Sequence, residues 1–138
     1  MSPVSTDFKV LESHRDRIST IEFWDNGIIF IKLDDNEQVE LSDSRSQYEF
    51  LKSKFDGKHK HRVLVEPGRF TEISKEAREF SSKTDSNAMT LGTAVIVKTL
   101  AHRIIINFII NFTRQDAMKM KMFDSKEKAI DWLLKLKQ

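Results

Sequence analysis

The chain has 138 residues, with 23 Lys and Arg against 21 Asp and Glu for a net charge of +2. That length suits one domain burying roughly two thirds of its unfolded surface, and so small a charge lacks the basic bias of a nucleic-acid binder. No cysteine is present, which removes disulfides, thiolate catalysis and cysteine-based zinc sites together.

The opening "MSPVSTDFKVLESHRDR" is polar and mixed, so residues 1–15 read as a flexible N-terminal arm. It has no apolar core of the kind a secretory signal needs, and a cytoplasmic location is expected. Residues 16–138 read as the folded domain. In "RISTIEFWDNGIIFIKL", Ile18–Trp24 and Ile28–Leu33 are rich in strand formers. "DNG" between them tolerates the positive φ of a tight hairpin turn. A third short extended piece follows in "NEQVEL". "LSDSRSQYEFLKSKF" carries Tyr48, Leu51 and Phe55 at helical spacing, with Ser42 or Asp43 as its cap and Gly57 as its stop.

"HRVLVEPG" is a short strand, Arg62–Glu66, closed by a Pro-Gly turn, and "ISKEAREFSSK" is a helix capped by Ser74. Ala94–Val97 is an uninterrupted apolar run, as expected of a strand covered on both faces in a parallel sheet. In "MKMKMF", Met118, Met120 and Met122 alternate with Lys119 and Lys121, an edge strand whose lysines discourage pairing with another sheet. The last helix, "DSKEKAIDWLLKLK", has Asp124 and Glu127 at capping-box spacing. This alternation predicts one α/β domain: a mixed sheet with an N-terminal hairpin and four helices packed on it through right-handed crossovers.

"TLAHRIIINFIINFTR", residues 99–114, is the most apolar stretch. A bilayer crossing needs about 20 apolar residues. Only 14 run from Leu100 to Thr113, and His102, Arg103, Asn107 and Asn111 interrupt them, so no transmembrane segment is expected. On a helix, Arg103, Asn107, Asn111 and Arg114 fall within about 80° of one another. A helix over 99–114 is therefore predicted, with this stripe facing water and the rest covered by protein. That apolar arc is wider than one sheet requires. A neighbouring helix, the N-terminal arm, a second subunit, a greasy ligand or a membrane surface are the alternatives for covering it. Ile106 and Ile110 lie at its centre, and a homodimer is expected.

The succession "HRVLVEPGRFTEISKEAREF", "TAVIVKTLAHRIIINFIINF" and "MFDSKEKAIDWL" resembles the STAS-like, or SpoIIAA-like, bacterial domains. It is more closely similar to a bacterial subfamily of that fold described only as of unknown function. The resemblance runs from Ile18 to Leu136 and is structural rather than chemical. It implies a SpoIIAA-like fold and a non-catalytic module for protein interaction or regulation. The family's regulatory members carry an Asp-Ser pair whose serine is phosphorylated by a partner kinase. Here the pair falls on Ser74 and Lys75, with lysine at the acceptor position, so the phosphoserine switch is not expected. Some relatives resemble lipid carriers, which implies the alternative function of binding a small apolar, lipid-like ligand or a membrane surface.

Chemistry-bearing motifs are few. His59 and His61 in "KHKHR" could share a metal, but the run is read as a solvated strand entrance, and no metal or cofactor is expected. There is no Gly-rich phosphate loop, G-x-S-x-G or H-E-x-x-H, so no catalytic residue is assigned. The candidate partner- or ligand-binding residues are Arg69, Phe70, Ser74 and Lys75 in the loop after Glu66, and His102, Ile106 and Ile110 in the isoleucine helix.

Overall fold

A computed structural model describes residues 8–83, 89–112 and 120–138. Three antiparallel strands open the chain: β1 (Val10–Arg15), β2 (Ser19–Trp24) and β3 (Ile28–Leu33). The "DNG" turn forms as the sequence predicts. Gly27 takes φ +88°, its N–H donates to the Trp24 carbonyl at 3.1 Å, and the Asn26 side chain accepts from the Ile28 N–H at 3.1 Å. Residues 10–15 are therefore a strand and not part of a flexible arm, while residues 1–7 lie outside the described set. The folded domain thus reaches back at least to Val10, and Phe8 stacks on Trp24 with ring centroids 3.6 Å apart. β1 escapes pattern reading because it is an edge strand lying mostly in solvent, with Leu11 68% exposed. Backbone pairing to β2 and the Arg15–Asp34 and Lys54–Glu12 ion pairs hold it instead.

The remaining elements alternate: β4 (Gln38–Val39), α1 (Leu41–Ser53), β5 (His61–Glu66), β6 (Glu72–Ile73), α2 (Lys75–Lys83), β7 (Thr90–Ile96), α3 (Leu100–Phe112), β8 (Met120–Phe123) and α4 (Lys126–Lys135). The main sheet runs β1-β2-β3-β5-β7-β8, with β3, β5, β7 and β8 mutually parallel, and β4 and β6 form a small parallel pair beside it. β8 is an edge strand as expected, with Lys121 exposed and Met120 and Met122 half-buried; Met118 and Lys119 lie outside the described residues.

Successive strand residues point to opposite faces, and each face has its own core. Trp24, Ile28, Phe30, Leu64, Ala94 and Ile96 pack under Ala129, Ile130 and Leu133 of α4. Ile21, Ile29, Ile31 and Val63 pack on the other side with Leu51 of α1, and α1, α2 and α3 lie side by side across that face. Burying each such large side chain contributes about 1.5–3 kcal/mol.

Two helix starts differ from expectation. Glu40 rather than Ser42 or Asp43 precedes α1; Asp43 sits at the third helical position, where its carboxylate accepts the Glu40 N–H at 2.8 Å. Ser125, not Asp124, caps α4, its hydroxyl accepting from the Lys128 N–H at 3.2 Å. A side chain one place away is equally suitable by residue type, and local backbone geometry makes the choice. α1 also ends before Gly57, which instead turns the chain at φ +84° beyond the helix.

Candidate functional site

The sheet face beneath α1, α2 and α3 is floored by Val63 and Val65 of β5 and Thr93 and Val95 of β7. These side chains are short and leave space beside the contact of Val63 with Leu51 of α1. Leu64 and Ile96, pointing the other way, fill the core under α4. The consequence is a cavity of about 230 Å³. Tyr48 and Leu51 of α1, Phe80 of α2, and His102, Ile105 and Ile106 of α3 form its roof and walls. The lining is mostly apolar, with Thr71, Thr90, Thr93, Ser44 and Ser81 supplying scattered hydroxyls.

His102 is the unusual group here. It is only 5% exposed, in the first turn of α3, where its N–H donates to Thr99 Oγ1 at 3.1 Å. Its ring atom Nδ1 is buried and has no hydrogen-bond partner among the described residues. Burial, reinforced by the charge of Lys98, lowers the imidazole pKa and favours the neutral ring. An orphaned buried polar atom of this kind costs about 1–3 kcal/mol.

α3 carries the predicted stripe in part: Arg103 and Asn107 are exposed, while Asn111 and Ile110 have side chains outside the described set, and Arg114 lies outside it entirely. The expectation that the rest of the helix is covered is corrected for this chain alone. Ile106 turns inward to the cavity, but Leu100 and Ile104 are 72% and 61% exposed. Strand β1 cannot cover them, because it lies at the sheet edge opposite β8, which α3 touches.

The loop after β5 divides its candidates. Arg69 and Phe70 are exposed, and Phe70 sits at φ +58°, a left-handed conformation rare for a bulky residue. Hydrogen bonds to the neighbouring loop hold it there: Arg69 N–H to Asp35 Oδ1 at 2.6 Å, and Asn36 N–H to the Arg69 carbonyl at 2.7 Å. Gly68 is obligatory at this junction, since a Cβ would lie 2.4 Å from the Asp34 carbonyl oxygen. Ser74 is buried and its hydroxyl accepts the Ala77 N–H at 3.1 Å, the capping role expected of it, while Lys75 is exposed at the first position of α2. The structure thus places His102 and Ile106 together at the cavity and leaves Arg69, Phe70 and Lys75 at the surface.

Glu66, alone in sequence, proves to be an electrostatic hub at the carboxyl edge of the sheet. Lys98, Lys126 and Lys32 lie 2.9, 3.3 and 3.8 Å from its carboxylate. Burial opposes its charge, but hydrogen bonds and attraction from Lys98 and Lys126 outweigh that and lower its pKa. The lysines are thereby tied to one another's elements, β3, the end of β7 and the start of α4. His59 and His61 diverge: His59 pairs with Asp56 at 2.8 Å, and His61 Nε2 meets the Leu51 carbonyl at 2.9 Å.

Sequence reading missed Tyr48, Val63, Val65, Phe80 and Thr93 as lining residues. The available signal was the run of short side chains at alternate strand positions, whose shared face shows only once the strands are paired.

The family model described as a domain of unknown function (DUF7793) matches residues 22–137, and the chain belongs to that family. No curated protein matches it in sequence. Among solved structures, it is similar to an uncharacterized protein of the DUF3478 family with a SpoIIAA-like fold, from Shewanella loihica PV-4. Identity is 16%, the TM-score is 0.54, and the match covers 96% of this chain and 98% of the other. The fold is therefore SpoIIAA-like, as the sequence resemblance implies. No helix among the described residues is long and apolar enough to cross a membrane.

Proposed function

We propose that this member of the family is a non-catalytic binding module that takes a small, largely apolar molecule between its sheet and helices α1–α3. The carrying observation is the cavity of about 230 Å³ lined mostly by apolar side chains. It is somewhat below the ~300 Å³ at which drug-sized sites begin, yet larger than the ~150 Å³ that suffices to bind benzene. The phosphoserine switch has no place in this reading, because the Ser74 hydroxyl is buried and engaged as a cap. Titration of the protein with ethylbenzene, followed by calorimetry, should give saturable binding of one equivalent. Thr93→Phe, which fills the floor, should abolish it. Absence of saturable binding to wild type, or unchanged binding to a folded Thr93→Phe variant, refutes the proposal.

A second reading, protein interaction, is favoured by a different surface. Leu100 and Ile104 stand at i, i+4 on one exposed face of α3, a patch that a two-fold homodimer or a regulatory partner would cover. Sedimentation equilibrium at tens of micromolar, a range suited to roughly micromolar affinity, should show a dimer that Ile104→Glu splits. A clean monomer removes the homodimer.

A further inference from the structure

At the carboxyl edge of the sheet, charged residues follow directly on the core beneath α4. Side chains alternate along a strand, so Lys32 follows Phe30 and Glu66 follows Leu64 on that face, and Lys98 lies two residues beyond Ile96. Lys126, the first residue of α4, joins them with its ammonium 4.6 Å from the centre of the Phe30 ring. The charges do not balance. Lys98, Lys126 and Lys32 approach one carboxylate, at 2.9, 3.3 and 3.8 Å, and among the described residues none of the three has another acidic partner. Asp124, close in sequence to Lys126, is engaged instead by Lys128 at 3.4 Å. Three positive charges against one negative leave a local surplus of two. The group is also layered: the Glu66 side chain is 14% exposed, whereas each lysine side chain is at least 37% exposed.

We infer that this edge binds a doubly charged oxyanion of the phosphate monoester kind, held on the solvent side of Lys32, Lys98 and Lys126. The charge of the ligand follows from the surplus, because a dianion brings the group to neutrality. Its shape follows from the spacing. Lys98 and Lys32 approach the same oxygen, Oε2 of Glu66, and so stand within about 7 Å of each other, close enough for one oxyanion to reach both at hydrogen-bond distance. Lysine binds phosphate as a point charge, and in open α/β sheets ligands gather outside the carboxyl ends of the strands. The apolar cavity lies on the other face of the sheet and none of these four residues lines it, so the inference does not depend on the apolar-ligand reading.

Calorimetric titration at constant ionic strength, which holds screening fixed, tests the site with methyl phosphate and dimethyl phosphate. Near pH 8 the monoester is a dianion, its second pKa being about 6, and the diester carries one charge. Wild type should bind one equivalent of methyl phosphate, and the diester at least about tenfold more weakly. Lys98→Met should weaken methyl phosphate binding about tenfold, the loss of one charge-assisted hydrogen bond at a half-exposed position. Lys58→Met, which removes an exposed lysine elsewhere and changes net charge equally, should leave it unchanged. Should Lys98→Met not fold, Lys126→Met takes its place. Co-sedimentation with phosphatidylcholine vesicles containing phosphatidic acid, lost in the same variant, places the ester on a lipid; methyl phosphate binding without it places the ester on a soluble molecule. Equal affinity for the two esters overturns the dianion. A folded Lys98→Met or Lys126→Met that binds methyl phosphate as wild type does, or no saturable binding at millimolar methyl phosphate, overturns the site and leaves ethylbenzene binding untouched.

Discussion

Replacing His102 by leucine should make the protein more stable, an unusual sign for a buried substitution. Leucine has nearly the volume of histidine, so no large void opens. The change removes an orphaned Nδ1, whose burial costs about 1–3 kcal/mol. It also leaves the helix cap untouched, because Thr99 bonds the backbone N–H rather than the ring. A net gain of about 1–2 kcal/mol near neutral pH is expected. Acidification should widen the gap. The folded-state pKa of His102 lies below its ordinary 6.5, so the unfolded chain takes up a proton that the folded one resists. Wild-type stability from this group is then full above the ordinary value and falls as pH drops through it towards the folded one. Leucine has no such dependence. Lys98 depresses the pKa further, whereas Glu72 on the cavity lining is exposed and contributes no resolved effect on the ring. Urea denaturation of both proteins between about pH 8 and about pH 5.5, a span that brackets the ordinary histidine range, measures the difference directly. A leucine variant less stable than wild type near neutral pH, or a stability gap that does not change with pH, would refute the orphaned-nitrogen argument.

Ser74→Ala should lose about 1 kcal/mol in the same denaturation experiment, the usual value of an N-cap side chain, because the Ala77 N–H loses its acceptor. Phosphate found stoichiometrically on Ser74 in native protein would contradict the structural role assigned to it. Glu66→Gln should destabilise by about 1–2 kcal/mol at neutral pH, a figure discounted for the partial exposure of its lysines. It leaves Lys32, Lys98 and Lys126 facing one another without a counter-charge. Because the Glu66 pKa is lowered from its ordinary 4.5, its contribution is full above that value and is lost as pH falls through the folded value. The wild-type and Gln curves should therefore converge in acid, and a gap that persists there counts against the ion-pair account.

Sequence alone determined those parts whose physics is local or periodic. The hairpin at "DNG" needs a positive φ at one place, and Gly27 supplies it. The polar stripe of α3 follows from 3.6 residues per turn, and the chain does form a helix there from Leu100 to Phe112 with Arg103 and Asn107 in solvent. The alternation of "MKMKMF" marks an edge because one face of such a strand must meet water, and β8 is at the edge. Ser74 could be read as a cap from its place before an amphipathic run, and its hydroxyl does accept the Ala77 N–H. What only the tertiary structure decided depends on groups far apart in the chain. β1 has little burial pattern of its own and forms because β2 offers its backbone. The cavity exists because Val63 and Val65, about thirty residues from Thr93 and Val95, present short side chains to the same space under three helices. Glu66 looked solitary until the parallel sheet brought lysines from β3, β7 and α4 to its end. That folding buries the Nδ1 of His102 with no partner among the described residues is equally invisible in the sequence. Hydrogen-bond satisfaction depends on every neighbour in space, and no window along the sequence contains them all.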